Sequence, residues 1–181
     1  AVAVATELGV TDEAIRQGLK GFAGVGRRFS GLGDIFWQGG KATLVDDYGH
    51  HPTELEATLA AARQAYPERR LAMVYQPHRF SRPRDLFEDF VATLSQCDVL
   101  ILLDVYPAGE APIPGADSRS LARSIRNRGA VDPIFVATAA EVPAVLIDVL
   151  RDDDLLVIQG AGNIGRLAQQ LASVAQLEDL L

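Results

Sequence analysis

The stretch Leu44-Val45-Asp46-Asp47-Tyr48-Gly49-His50-His51-Pro52-Thr53-Glu54 concentrates acid–base chemistry as no other part of the chain does. Two carboxylates, a phenol and two imidazoles fill the six positions from Asp46 to His51, with a single glycine among them. Imidazoles and carboxylates are the groups that move protons near neutral pH. Thr43, Leu44 and Val45 read as the end of a strand, and the residues from Pro52 onward as a helix. In an α/β sheet the loop leaving a strand's carboxyl end is where ligands bind. Pro52 suits a first helical turn, and Thr53-x-x-Glu56 offers an alternative capping-box start one residue later. Either start aims unpaired N–H groups and the positive end of a helix at the same loop. A functional site is expected here.

Gln76-Pro77-His78-Arg79-Phe80-Ser81-Arg82-Pro83-Arg84 is a second cluster, with three arginines before or inside a helix that Pro83 is expected to start. Cations are disfavoured at a helix N-terminus by a few tenths to about 1 kcal/mol each. A chain that tolerates this is suited to an anion there, and the arginine fork fits a carboxylate or phosphate. Arg79 and Arg82 are read as ligand residues. Arg84 is read as a surface partner of Glu88 at i+4.

Gly160-Ala161-Gly162-Asn163-Ile164-Gly165 has the G-x-G-x-x-G spacing of a dinucleotide fingerprint. A true fingerprint opens the first βαβ unit and has an acid about 20 residues further on. Only sixteen residues follow Gly165. A tight strand-to-helix turn at the sheet rim is the better reading, and a nicotinamide-binding oxidoreductase domain rests on this pattern alone. Adjacent His50 and His51 project in different directions, and no His-x-x-x-His or cysteine pair supports them, so no dedicated metal site is expected. The chain has no phosphate-cradling Gly-x-x-x-x-Gly-Lys-Ser/Thr loop.

These clusters need a scaffold, and the composition permits one. The 181 residues are 48% hydrophobic and 23% charged, enough for one ordinary domain with its own core. A net charge of −7 argues against a nucleic-acid module. No run approaches the roughly 18 apolar residues of a membrane span. Cys97 is the only cysteine, so no internal disulfide framework exists; it opens an apolar strand and reads as a buried, inert thiol of a cytoplasmic protein. The chain starts at Ala1 and its only methionine is Met73, which suggests a piece of a longer protein.

Residues 2–8 and 11–22 give two helical patterns broken at Gly9, the second capped by Thr11 or Asp12 and striped by Ile15, Leu19 and Phe22. The glycine-rich segment from Gly21 to Gly26 reads as a linker, placing a boundary between residues 1–26 and 27–181. Beyond it, strands are expected at 34–38 and 42–45 around Gly39-Gly40, and at 71–75, 98–103, 134–136 and 155–158. Helices are expected at 52–66, 83–94, 118–128 and 140–150 and after Asn163. This alternation predicts an α/β, Rossmann-like fold: a mostly parallel sheet of about six strands with an antiparallel edge and helices on both faces. The loops at 46–52, 76–82 and 104–117 should converge on one rim.

The two clusters, with Gly26-Arg27-Arg28-Phe29, Asp104-Val105-Tyr106, Gly109-Glu110-Ala111-Pro112-Ile113-Pro114-Gly115 and Gln159 to Gly165, resemble the Mur ligases over essentially the whole chain. Within that family they resemble most the branch joining L-alanine to UDP-N-acetylmuramate, and next the murein-peptide ligases. The resemblance implies a third, C-terminal Rossmann-like domain at 27–181, preceded by the last helices of a central ATPase domain at 1–26. It implies cytoplasmic, ATP-dependent amide bond formation in peptidoglycan synthesis, with ATP and Mg2+ as cofactors and the magnesium ligands in the central domain. Catalytic roles would fall on His50, Arg79 and Arg82. Substrate binding would fall on Tyr48, His50, His51, His78, Arg79 and Arg82, and nucleotide binding on Arg28 and Asp47.

Overall fold

The structure is a computed structural model that describes residues 1–22 and 24–181; of the expected linker, Ala23 lies outside the described residues. Helices α1 (Val2–Glu7) and α2 (Asp12–Lys20) come first, and Thr11 caps α2 by accepting the Ala14 N–H at 3.4 Å. Neither helix has a buried residue. The expected stripe is only partly covered: Leu19 is 51% exposed, and Phe22, just beyond α2, 62%.

Then follow β1 (Ser30–Trp37), β2 (Gly40–Asp47), α3 (Pro52–Ala65), β3 (Leu71–Tyr75), α4 (Ser81–Asp85), α5 (Phe87–Leu94), β4 (Val99–Leu103), α6 (Ser118–Arg128), β5 (Ile134–Val136), α7 (Val142–Val149), β6 (Asp154–Gln159) and α8 (Ile164–Ser173). The sheet has six strands in the order β1-β2-β6-β3-β4-β5; only the β1–β2 pair is antiparallel. This is the expected α/β fold with its antiparallel edge.

Alternation along each central strand divides the core in two. Leu71, Met73 and Tyr75, with Leu100, Leu102, Leu155 and Val157, face α3, α5 and α6. Ala72 and Val74, with Ile101, Leu103, Leu156 and Ile158, face α7 and α8. Strands buried on both faces need such continuous apolar runs, and each covered Leu or Ile contributes about 1.5–3 kcal/mol. Burial also pushes the Cys97 thiol up to about 12, so the sulfur stays protonated, as an inert core group should.

Several expected boundaries move: β1 begins at Ser30 rather than at residue 34, and two further shifts bear on the site. Strand β2 continues through Asp47 rather than stopping at Val45, because its register with β6 runs to Asp47 opposite Gln159. Both aspartates thus lie on a paired strand and not in the loop. The helix expected from Pro83 to Leu94 is two helices broken at Leu86 (φ −125°, ψ 30°). The first begins at Ser81, two residues before the proline.

Candidate functional site

β6 lies between β2 and β3, so the loops that leave these three neighbouring strands share one rim. Residues after β2 and β3, with Ala161 after β6, line an open cavity of about 500 Å³ walled by Tyr48, His50, His78, Arg79, Arg82 and Leu86. A second hollow of about 520 Å³ shares Ala161 and is lined by Arg27, Tyr106 and the start of α8. Four rings run across this floor. Tyr48 meets His50 edge-on with ring centroids 5.5 Å apart, His50 lies 5.8 Å from His78, and His78 stacks on Tyr106 at 5.5 Å.

The loop after β2 is held by its own helix start. His51 is the N-cap of α3, with Nδ1 accepting the Thr53 N–H at 3.3 Å. Glu54 accepts the N–H groups of His50 (2.8 Å) and His51 (3.1 Å). The capping box therefore uses His51 and Glu54, not Thr53 and Glu56. Burial pulls the Glu54 carboxyl upward, but these two N–H bonds, the His50 ring and Arg28 outweigh it and leave the group below its ordinary value. His50 Nδ1 lies 3.1 Å from the Tyr48 carbonyl, which can only accept. The neutral His50 ring then carries its hydrogen on Nδ1 and keeps Nε2 as acceptor.

Asp46 and Asp47 turn inward. Asp46 is fully buried, its carboxyl raised by burial and drawn back by Arg27, whose Nε lies 2.9 Å from Oδ2. Asp47 is 5% exposed. Its Oδ1 accepts from Gly49 N–H (2.7 Å) and Gln159 Nε2 (3.0 Å), and its Oδ2 from Phe29 N–H (2.7 Å). Three internal donors thus occupy the carboxylate expected to meet a nucleotide; in this geometry it holds the segment that carries Arg28. Arg28 itself is about half exposed, 3.4 Å from Glu54 and over the Tyr48 ring.

On the second loop Arg82 Nη1 donates to the His78 carbonyl at 2.9 Å, which orients the guanidinium. Burial and the charges of Arg82, His50 and Arg79 hold the His78 imidazole below its ordinary value. Arg79 has φ +68°, a left-handed conformation that costs a non-glycine residue about 1–3 kcal/mol and persists only where its surroundings over-determine it. Arg84 pairs with the adjacent Asp85 at 2.6 Å; Glu88 is 3.9 Å from Arg128 instead. The break at Leu86 removes the i+4 geometry that would have joined Arg84 to Glu88.

Of the residues singled out from sequence, Tyr48, His50, His78, Arg79 and Arg82 meet at one cavity. His51 caps a helix, Asp47 is internal, and Arg28 stands beside Tyr48. Sequence reasoning missed Asp46, Gln159 and Glu110 as partners of the site, because their partners are distant along the chain.

The glycine turn is explained by packing. A Cβ on Gly162 would lie 2.6 Å from Gln76 Oε1 and 2.8 Å from Tyr106 Cγ, and one on Gly165 would lie 2.4 Å from Arg27 Cζ. The spacing admits neighbouring side chains of this domain. Among the described residues no group of three or more His, Cys, Asp or Glu side chains is placed to hold a metal ion. No helix of the described residues is long and apolar enough to cross a membrane.

The fold matches UDP-N-acetylmuramate-alanine ligase MurC from Thermotoga maritima with a TM-score of 0.72 at 23% identity, covering 94% of this chain and 34% of that one. MurF ligase from Thermotoga maritima in complex with ADP matches at 0.62 and 18%, covering 99% and 37%. The murein peptide ligase Mpl from Psychrobacter arcticus 273-4 matches at 0.61 and 19%, covering 96% and 35%. The chain thus spans about a third of the length of each of these proteins, and at such identities the likeness is one of fold. Residues 27–162 match the family described as Mur ligase, glutamate ligase domain, and the chain belongs to the Mur ligase family through that C-terminal domain.

Proposed function

We propose that this chain is the amino-acid-receiving domain of an ATP-dependent ligase that joins L-alanine to UDP-N-acetylmuramate in cytoplasmic peptidoglycan synthesis. The observation that carries this reading is the meeting of Tyr48, His50, Arg79 and Arg82 on one open cavity at the carboxyl rim of the sheet. In such a reaction the muramate carboxylate attacks the γ-phosphorus of ATP and ADP leaves. The alanine amine then attacks the acyl carbon, the amide forms, and inorganic phosphate departs with the C–O bond. Arg79 and Arg82 supply cationic forks for the alanine carboxylate and the acyl phosphate. His50, with Nε2 as acceptor, is suited to take the proton that the amine must shed. Arg28, with the Tyr48 ring beneath it, faces the nucleotide side, and Asp47 sets the position of that segment.

ATP and Mg2+ fit this chain only in part: Arg28 can meet a nucleotide, but no carboxylate cluster for the metal is present among the described residues. We assign the metal and the phosphate cradle to a preceding ATPase domain. Residues 1–26 are assigned to that same domain, because Val2, Val10, Leu19 and Phe22 line an apolar groove and are all exposed.

The test is phosphate release by the full-length polypeptide that joins this chain to both domains expected to precede it, the UDP-sugar domain and the ATP-binding domain. Release should require both UDP-N-acetylmuramate and L-alanine. Release with an alanyl-glutamyl tripeptide in place of alanine would shift the assignment to the murein-peptide branch. Failure with every amine acceptor would remove the ligase reading.

A further inference from the structure

The loop from Asp104 to Asp117 contributes no arginine or histidine to the cavity, yet it grips the strained turn that does. Tyr106 N–H donates to the Pro77 carbonyl at 2.8 Å, and Arg79 N–H donates to the Tyr106 carbonyl at 2.8 Å. These two bonds bracket Arg79 on one side. On the other, Glu110 accepts the Ser81 N–H through Oε2 at 2.9 Å and the Ser81 hydroxyl through Oε1 at 2.7 Å. The same Oε1 stands 3.6 Å from Arg79 Nη1. Helix α4 receives no cap from its own N-cap residue Phe80, so this carboxylate from a distant loop supplies the missing acceptor. The donors converging on Glu110 also hold its carboxyl below the ordinary value, so it is charged at neutral pH.

We propose that Glu110 is a positioning residue for Arg79: its carboxylate fixes the Arg79-to-Ser81 turn and thereby presents the guanidinium to the cavity. The proposal rests on the ligase reading for its functional consequence, though not for its geometry. A left-handed arginine relaxes when one of its restraints is removed. Glu110 engages Arg79 through a single terminal nitrogen at 3.6 Å, so the remaining guanidinium donors stay available to a carboxylate. Arg79 is the cavity arginine with which Glu110 forms an ion pair, although its charge also reaches His78. Glu110 itself is not one of the residues that line the cavity, which separates it from the substrate-binding groups.

The experiment uses the full-length polypeptide, carrying this chain with the UDP-sugar and ATP-binding domains, with L-alanine and ATP varied separately. Glu110→Ala should raise KM for L-alanine about tenfold, the effect of one misplaced charge-assisted contact, with kcat and the ATP KM within about twofold. Glu110→Gln, which keeps the shape and loses the charge, should fall between. In an Arg79→Ala background Glu110→Ala should add less than about twofold, since there is no guanidinium left to place. A full tenfold effect in that background would overturn the proposal. A crystal structure of the Glu110→Ala protein supplies the independent arm: Arg79 should leave its left-handed conformation or swing from the cavity, and an unmoved Arg79 overturns the proposal whatever the kinetics. If Arg79→Ala alone leaves the alanine KM unchanged, the substrate reading of Arg79 fails, and the crystallographic arm still decides whether Glu110 holds the turn.

Discussion

Arg27 closes on the buried carboxylate of Asp46 with Nε 2.9 Å from Oδ2, and its Nη2 donates to the Gly160 carbonyl at 2.7 Å. One side chain therefore ties the segment before β1 to the end of β2 and to the turn after β6. Its backbone carbonyl also accepts the Tyr48 N–H at 2.7 Å, so the same residue sets the edge of the cavity.

Removing that side chain leaves the Asp46 carboxyl buried and without its partner. Arg27→Ala should lower stability by about 3–5 kcal/mol, measured by urea denaturation of the chain. Asp46→Asn added to that variant should recover part of the loss, because the unpartnered carboxyl goes with it. A single-variant cost below about 1 kcal/mol would mean that water reaches Asp46 and the pair is a surface one.

Arg79→Ala and Arg82→Ala in the complete ligase should impair use of L-alanine more than use of ATP. The amine must be neutral to attack, which leaves the carboxylate as the one fixed charge on a small substrate. A charge-assisted bond is worth about 1.5–3 kcal/mol, or roughly ten- to a hundredfold and more in kcat/KM for alanine. Lysine at either position should restore only part of this, since a point charge lacks the planar fork. Steady-state kinetics decide it: an alanine kcat/KM within about twofold of the parent for both variants would separate these arginines from the substrate.

His78 carries a pH dependence of known sign. Its folded value lies below the ordinary 6.5, first through burial and then through Arg82, His50 and Arg79. A base with a depressed folded value takes up its proton more readily when unfolded. Its contribution is thus fully present above the ordinary value and is lost as pH falls from there towards the folded value. Between about pH 7.5 and about pH 5.5, His78→Gln should lose less stability than the parent chain in urea titrations. In Arg82→Ala the His78 resonance should titrate at a higher pH than in the parent. A parallel fall in both proteins would show that His78 does not contribute to the slope.

Gly162→Ala tests the glycine turn. The added Cβ would meet Gln76 Oε1 at 2.6 Å and the Tyr106 ring at 2.8 Å, both packed groups beside the site. Overpacking of this kind costs about 1–3 kcal/mol, and the displaced Tyr106 should weaken its stack on His78. Thermal or urea unfolding of the isolated chain is sufficient, with no ligand present. An unchanged midpoint would mean that the turn has room and that the glycine answers to something outside the domain.

Much of the architecture is a local property of the chain. Leu71–Tyr75, Ser118–Arg128 and Ile134–Val136 form the elements their residues predict, because short apolar runs and the helical period are written within a few positions. The gathering of Tyr48, His50, His78, Arg79 and Arg82 was also legible, since each follows a strand and the carboxyl ends of parallel strands share one side. The placement of β6 between β2 and β3 was not, because pairing energy between parallel strands does not depend on their order in the chain. That placement sets Asp47 opposite Gln159 and gives a carboxylate expected to contact a nucleotide a donor inside the domain. Likewise Glu110 and Ser81 lie 29 residues apart and come together only when the long loop folds back over the rim. Sequence determines which side chains can ionise, stack or cap; the partner each finds across the rim is decided by strand order and loop closure.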